Sequence, residues 1–344
     1  MSSPSSEQLS AANPNTEIMR LAIGYMPSAC LYIAAKLRIA DLLAVGSQPV
    51  GELARASQVN EDPLYRILRA LASVGVFCEV SPRRFANTPL GETLLSDVPG
   101  SSRDTVLFLS DPLHLRAFAE LMHPLLTLET AFRKTTGMEP FEFFRQNEEE
   151  NKAFNAAMTA ISATSVPQAV EVYDFGNAGT LADIGGGHGM LLALILEKHR
   201  GLRGIVYDLP NVIEGASKRI ESLGLASRCE IQGGDFFESV PPADSYVLKS
   251  IIHDWDDARA VTILENCARS MRNRNGRVIL IEQLIEPGNK PSLAKWIDME
   301  MLAMAGGRER TQAEYADLFS KAGLSLTRVV LTPSPFCVIE SVKA

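Results

Sequence analysis

Two patterns of hydrophobic and polar positions divide the chain. From Ile18 to about Leu95, apolar residues recur three and four apart, as in Ala34, Leu37, Leu42 and Leu43 and again in Leu64, Ile67, Leu68 and Leu71. That spacing lines one face of a helix. Val50–Ser57, then Asn60-Glu-Asp-Pro and Leu64–Val74, reads as helix, turn and capped helix, with Pro63 acceptable in the first turn. Val76–Val80 and Arg84–Thr88 flank Ser81-Pro82-Arg83, which predicts two strands joined by a turn. Leu107–Arg145 continues as helices rich in Leu and Phe, and Asn147–Asn151 reads as a solvated turn leading into a helix over Phe154–Val172. Beyond it the pattern changes. Short apolar runs at Thr180–Ile184, Gly204–Tyr207, Arg228–Ile231, Tyr246–Lys249 and Arg277–Glu282 alternate with helical segments, which predicts a parallel sheet with crossover helices. Leu324–Leu331 and Phe336–Val342, separated by Thr332-Pro-Ser-Pro335, pair antiparallel at one edge.

A chain of 344 residues suits two cores. The expected divisions are a disordered tail over 1–16, a mostly helical winged helix over 17–105, a helical connector over 106–150 and an α/β domain over 151–344. A winged helix often binds DNA. Between Pro49 and Gly100, however, five basic residues (Arg55, Arg66, Arg69, Arg83, Arg84) face six acidic ones (Glu52, Glu61, Asp62, Glu79, Glu92, Asp97), a local net charge of -1. The whole chain carries -8. Those charges argue against nucleic acid and favour protein docking. Five cysteines without a CxxC pair suit free thiols in a reducing compartment, so a cytoplasmic protein is expected. Leu21–Ala35 is uncharged but too short to span a bilayer, and Gly24 and Pro27 interrupt it. No membrane partner is expected.

Chemistry concentrates where strands end. In Thr180-Leu-Ala-Asp-Ile-Gly-Gly-Gly-His-Gly-Met190 a buried strand runs into glycines at 185, 187 and 189 and then into a helix over Met190–Glu197. Glycines there leave no side chain between backbone and ligand, and the helix amides point back at the loop. A dinucleotide fingerprint needs a glycine at the sixth position, which is Met190, so the spacing suits a nucleoside-sulfonium loop instead. Asp208, nineteen residues beyond Gly189, ends the next strand, where a carboxylate accepts both hydroxyls of a ribose or simply caps the loop before Pro210. Gly233-Gly-Asp-Phe-Phe237 follows, with Asp235 able to accept from an adenine amino group and Phe236 able to cover the ring. Tyr246–Asp257 places Lys249 and His253 at the same sheet edge. Asp254, Asp256 and Asp257 read as N-cap and first-turn acids of a helix starting after Trp255, because three acids on one short turn do not converge on a metal ion. An imidazole titrates near neutrality, which makes His253 a candidate general base. Glu282, at a strand end, and Glu309, in Gly306-Gly-Arg-Glu-Arg-Thr-Gln312, are two carboxylates either of which could set its tautomer.

Asp183–Gly189, Tyr207–Ile213, Gly233–Phe236, Leu248–Asp257 and Gly306–Gln312, in this order, resemble the motifs of S-adenosylmethionine-dependent O-methyltransferases. That class includes plant caffeate and flavonoid enzymes, acetylserotonin methyltransferase and bacterial natural-product enzymes, and the likeness covers nearly the whole chain. It implies an α/β Rossmann-like methyltransferase domain behind a winged-helix domain that makes a homodimer. It implies S-adenosyl-L-methionine as cofactor, leaving as S-adenosyl-L-homocysteine, and no metal. By the same resemblance, His253 is the base, flanked by Glu282 and Glu309. Gly185, Gly186 and Gly187 pass beneath the amino-acid tail, Asp208, Gly234, Asp235, Phe236 and Lys249 hold the nucleoside, and Met158 and Ser162 touch the cofactor. Phe108, His114, Met301 and Met304 are candidates for an apolar acceptor pocket and equally for core. Met304-Ala305 stands where many plant members carry Asn-Pro, which points to a phenolic or polyketide-like hydroxyl outside the phenylpropanoids. The alternatives are a cofactor-retaining relative with hydroxylase-like or N-methylating chemistry, and a regulator that senses the cofactor.

Overall fold

The computed structural model describes residues 13–344. Most of the tail expected over 1–16 therefore lies outside the described residues. Its end does not stay irregular: Pro14–Ala22 is a helix, because Asn13 accepts from the Asn15 amide at 2.9 Å and Pro14 enters the first turn without a wasted donor. The chain forms two compact units, one of residues up to 115 with 152–160, the other of 116–151 with 161–344. The connector expected over 106–150 is divided between them. Its first ten residues group with the first unit and the rest with the second.

In the first unit the helix Glu61–Ser73 buries Leu64, Leu68 and Leu71 at spacings of four and three. They pack with Ile39, Leu53, Phe77 and Phe85 in one apolar cluster. Asn60 precedes that helix but makes no side-chain cap. The two expected strands are present, joined by a third too short to show any periodicity. β1 (Gln48–Pro49), β2 (Phe77–Ser81) and β3 (Arg84–Asn87) form a sheet in the order β1-β3-β2, antiparallel throughout. The helix Pro14–Ala22 buries none of its residues, and Ile18, Met19 and Leu21 on it are exposed with Tyr25 and Met26 beyond.

The second unit is built on a seven-stranded sheet. Its strands are β4 (Thr180–Ile184), β5 (Arg203–Asp208), β6 (Cys229–Gly233), β7 (Ser245–Lys249), β8 (Arg277–Gln283), β9 (Leu324–Leu331) and β10 (Phe336–Lys343). Their order is β6-β5-β4-β7-β8-β10-β9, parallel up to β8 and antiparallel from there, as the alternation and the final pair of β-rich runs imply. Side chains alternate between two cores. Val247, Ile279 and Ile281 join the cluster on one face, and Leu248, Leu280 and Ile339 the cluster on the other. A strand buried on both faces reads as a continuous apolar run, which is why these strands were legible. The chain passes from β4 outward to β5 and β6 and then returns to β7 on the other side of β4. That reversal opens a crevice beyond the strands' carboxyl ends.

One local expectation fails, and one turn was not anticipated. Asn147–Asn151 is no turn beyond its first residue: Glu148–Val172 is one helix whose first turn carries Glu148, Glu149 and Glu150, and acids there complement the unpaired amides of a helix start. Met301–Ala305 is a π-helical turn that buries Met301, Ala303 and Met304 and closes at Gly306, whose φ is 80° and whose amide donates to Met301 O at 2.7 Å.

Candidate active site

The glycine loop leaves β4 at the reversal point. Gly185, Gly187 and Gly189 have φ of 68°, 54° and 73°, conformations that other residues adopt only under strain. Their surroundings differ. A Cβ on Gly185 would stand 2.3 Å from Ile251 Cδ1, and one on Gly189 3.2 Å from Val206 Cγ2, whereas one on Gly187 would meet nothing within 4 Å. Two of these glycines therefore serve turn and packing, and only Gly187 faces open space. Gly186 is crowded by Asp183, 2.9 Å from where its Cβ would stand. Asp208 ties the loop to the end of β5: Oδ2 accepts from the Gly187 amide at 2.8 Å and Oδ1 from the Leu209 amide at 2.7 Å. Burial raises its pKa against the pull of those two amides. Each carboxylate oxygen retains a lone pair for a hydroxyl. A polar, glycine-floored crevice with an anchored carboxylate fits a ribose and a small charged tail.

Gly234 follows β6, where a Cβ would stand 2.2 Å from the Tyr207 hydroxyl, so the backbone approach requires glycine. Asp235 turns one oxygen to the Phe237 amide at 2.8 Å, and Phe236 packs edge-on against Phe237 and Trp255. Phe236 reaches the glycine loop, its Cε1 standing 3.9 Å from the Gly185 Cβ position. Lys249 ends β7 with Nζ donating to Ser250 Oγ at 3.2 Å. Burial pulls its pKa down to about 8, with Glu282, Asp183 and Asp254 acting the other way. Ser250 adopts φ 53°, a left-handed kink that starts the turn carrying His253.

His253 lies in the short 3-10 turn Ile252–Asp254. Its Nδ1 is 2.7 Å from Glu309 Oε1 and 3.9 Å from Glu282 Oε2, and its Nε2 is 3.5 Å from Asp254 Oδ1. The two glutamates are not equivalent. Glu282, at the end of β8, uses Oε1 to accept from the Ile251 and Ile252 amides at 3.1 and 2.9 Å, which fixes the turn, while Glu309 contacts the ring. Burial disfavours the charged imidazole, but Glu282, Asp254 and Glu309 outweigh it and hold the pKa up at about 10. Burial raises the Glu282 pKa as well. Ligand atoms of His253, Glu282 and Glu309 lie within 4.8 Å of one another, a spacing that a metal ion could also use.

Of the three acids after His253, Asp256 caps the helix Asp257–Ser270 through the Arg259 amide at 2.9 Å, and Asp257 sits in its first turn paired with Arg310. Asp254 does not join them. It lies partly buried beside the imidazole, where desolvation raises its pKa to about 6. Sequence reasoning also missed Asp298, whose Oδ1 accepts from the Glu309 amide at 2.9 Å. Gly307 is a further case: a Cβ there would stand 2.0 Å from His253 O. The doubled glycine was the available signal for that close approach. Met158 groups with the first unit and Ser162 with the second, although one helix carries both. Phe108 and His114 belong to the first unit, His114 with Nδ1 at 2.8 Å from Asp111 Oδ1 and its ring 4.5 Å from that of Phe108. Met301 and Met304 are buried in the second.

A glycine-floored crevice at a sheet reversal, joined to a carboxylate-bracketed histidine, defines the group-transfer class, and comparison with known proteins names the family. The O-methyltransferase domain matches residues 118–325 and the O-methyltransferase dimerisation domain residues 19–97, and the chain belongs to this family of S-adenosyl-L-methionine-dependent enzymes. The phenazine O-methyltransferase PhzM of Lysobacter antibioticus is 38% identical over 325 residues, 94% of this chain and 95% of that one. An 8-amino-8-demethylriboflavin N,N-dimethyltransferase of Streptomyces davaonensis is 33% identical over 90% of each chain. Among solved structures, LaPhzM superposes with a TM-score of 0.90 at 37% identity, covering 96% of this chain and 100% of that one. CalO1 of calicheamicin biosynthesis, with S-adenosylhomocysteine bound, gives 0.86 at 36% identity over 96% and 99%. NcsB1 of neocarzinostatin biosynthesis, with S-adenosylmethionine and 2-hydroxy-5-methyl naphthoic acid, gives 0.79 at 30% over 93% and 96%. No single described helix is long and apolar enough to cross a membrane.

Proposed function

We propose that the enzyme methylates a hydroxyl, phenolic in kind, on an aromatic natural product, with His253 as general base and without a metal. The observation that carries this is the Nδ1 to Glu309 Oε1 contact of 2.7 Å, which leaves Nε2 as the nitrogen available for a proton. The bound cofactor supplies an electrophilic methyl group. The backbone of Gly185, Gly186 and Gly187, open at Gly187, floors its amino-acid tail. Asp208, Gly234, Asp235, Phe236 and Lys249 face its nucleoside.

A His253 pKa of about 10 matches that of a phenol, about 10 by the tyrosine standard, so a proton passes between them at little free-energy difference. Base catalysis of this kind contributes on the order of 10²–10⁴-fold. The acceptor is drawn to an apolar wall to which the buried Met301 and Met304 contribute. Those are adaptable surfaces for a flat ring. A metal on His253 Nδ1 would displace the ring's contact with Glu309, and chelator is expected to leave activity unchanged. The first unit is read as a winged helix that makes a homodimer, supported by the exposed Ile18, Met19 and Leu21 on the helix Pro14–Ala22. Five free thiols support a cytoplasmic, reducing setting.

Labelled S-adenosylmethionine screened against phenols, phenazines, flavonoids and hydroxylated polyketides, with wild type beside His253→Gln, tests the reading. Label on a hydroxyl that is lost in the variant is the expected result. Transfer to an amine independent of His253 would place the enzyme with its N-methylating relative and overturn it.

A further inference from the structure

Arg310 is among the largest fully buried side chains described. A guanidinium keeps its charge at any ordinary pH, so burial there demands acceptors around it. The structure provides them. Nη1 donates to Ile252 O at 3.1 Å and Arg308 O at 3.2 Å, and Nη2 donates to Trp255 O at 2.9 Å and Asp257 Oδ1 at 2.8 Å. Nε reaches the same Asp257 oxygen at 3.2 Å. Ile252 and Trp255 bracket the turn that carries His253, while Arg308 and Arg310 bracket Glu309. The backbone of Arg310 extends the link to a third segment: its carbonyl accepts from the Ile285 amide at 3.0 Å and it pairs with Leu284, just beyond Glu282.

We infer that Arg310 is the positioning residue of this site, its planar fork fixing the His253 turn against the segment that carries Glu309. The 2.7 Å contact between imidazole and carboxylate is thereby set before any acceptor arrives. Arg310 acts through those two residues and touches no reacting atom. The catalytic consequence rests on the reading of His253 as base, whereas the positioning itself does not. Lysine would keep the charge but present a single ammonium, which cannot reach acceptors on both sides of the turn.

The test uses full-length protein labelled with ¹⁵N-histidine, comparing wild type, Arg310→Lys, Asp257→Ala and His253→Gln. Asp257 is half exposed, so its replacement loosens the fork from the surface without opening the core. In wild type the His253 Nδ1 proton, identified by its absence in His253→Gln, should resonate far downfield because of the short bond to Glu309. Arg310→Lys should shift or broaden that signal and lower kcat by about tenfold to a hundredfold, the range associated with misplacement of about 1 Å. Cofactor affinity should stay within a few-fold, and Asp257→Ala should show a smaller change of the same kind. An unmoved signal with wild-type kcat in Arg310→Lys overturns the inference. If Arg310→Lys does not fold, the same two readings on Asp257→Ala decide it. His253→Gln turning over at the wild-type rate would retire the base reading alone, and the signal in Arg310→Lys would still decide the positioning.

Discussion

Gly307 has no room for a methyl group. A Cβ built there stands 2.0 Å from His253 O, 2.3 Å from Asp254 C and 2.5 Å from Trp255 N, all backbone atoms that no rotamer change can move aside. Bonded neighbours aside, such contacts need at least 3.0 Å, so Gly307→Ala must push the His253 turn and the Gly306–Arg310 segment apart by about 1 Å. The same push strains the bond from the Arg308 amide to His253 O, now 2.8 Å. Overpacking of this kind typically costs about 1–3 kcal/mol of stability. A catalytic group displaced by about 1 Å typically loses about 10²-fold in rate. The glycine loop and Asp208 lie on other strands and are untouched. Gly307→Ala should therefore bind S-adenosylmethionine within a few-fold of wild type by calorimetry, melt a few degrees lower, and transfer methyl groups about 10²-fold more slowly. Its φ is not in the left-handed range, so the effect is steric and not one of backbone conformation. A folded Gly307→Ala that turns over at the wild-type rate would refute the claim that this approach holds His253 in place.

Asp208→Ala should weaken cofactor binding by more than tenfold, because a charge-assisted bond to a hydroxyl is worth about 1.5–3 kcal/mol and the glycine loop loses its tie as well; calorimetry showing equal affinity removes Asp208 from the site. With His253 held at about 10 and its neutral form acting as base, kcat/KM toward a phenol should climb between pH 7 and 9, by up to about tenfold per unit, and a flat profile would count against base catalysis. Asp183 has its pKa raised to about 7, by burial first and by Asp208 second. A folded value above the unfolded one of about 4 means that the protonated carboxyl stabilises the fold at low pH and that this is lost as pH rises through about 7, a swing on the order of 4 kcal/mol. Melting of Asp183→Asn relative to wild type should accordingly improve by several degrees from pH 4 to pH 8, and parallel melting curves would refute it. Light scattering at dilute concentration should report a dimer, and a monomer would undercut the docking role of the first unit.

Most of the sheet could be read from the chain. Ile184, Val206, Leu248 and Ile281 sit in runs that are apolar without alternation, and such runs signal strands covered on both faces whatever their neighbours are. The helix starts at Met190 and Asp257 were equally legible, because a glycine or a capping residue precedes each. The two-residue β1 and the π-helical turn at Met301–Ala305 carry too few residues for any period to show. The helical start at Glu148 was misread because three successive acids mark a solvated turn and a helix start alike.

By itself the sequence determined which residues could do chemistry: a glycine loop after a strand, acids at strand ends, and a histidine and two glutamates as candidates. Local spacing suffices for that, since each motif is a property of a few neighbouring residues. Only the tertiary structure decided how they divide the work. Glu309 holds the ring and Glu282 the turn, Asp254 leaves the helix cap to lie beside His253, and Arg310 joins three segments from the interior. Those roles depend on distances across strands far apart in the chain and on burial, which together set how strongly the surrounding carboxylates act on one imidazole.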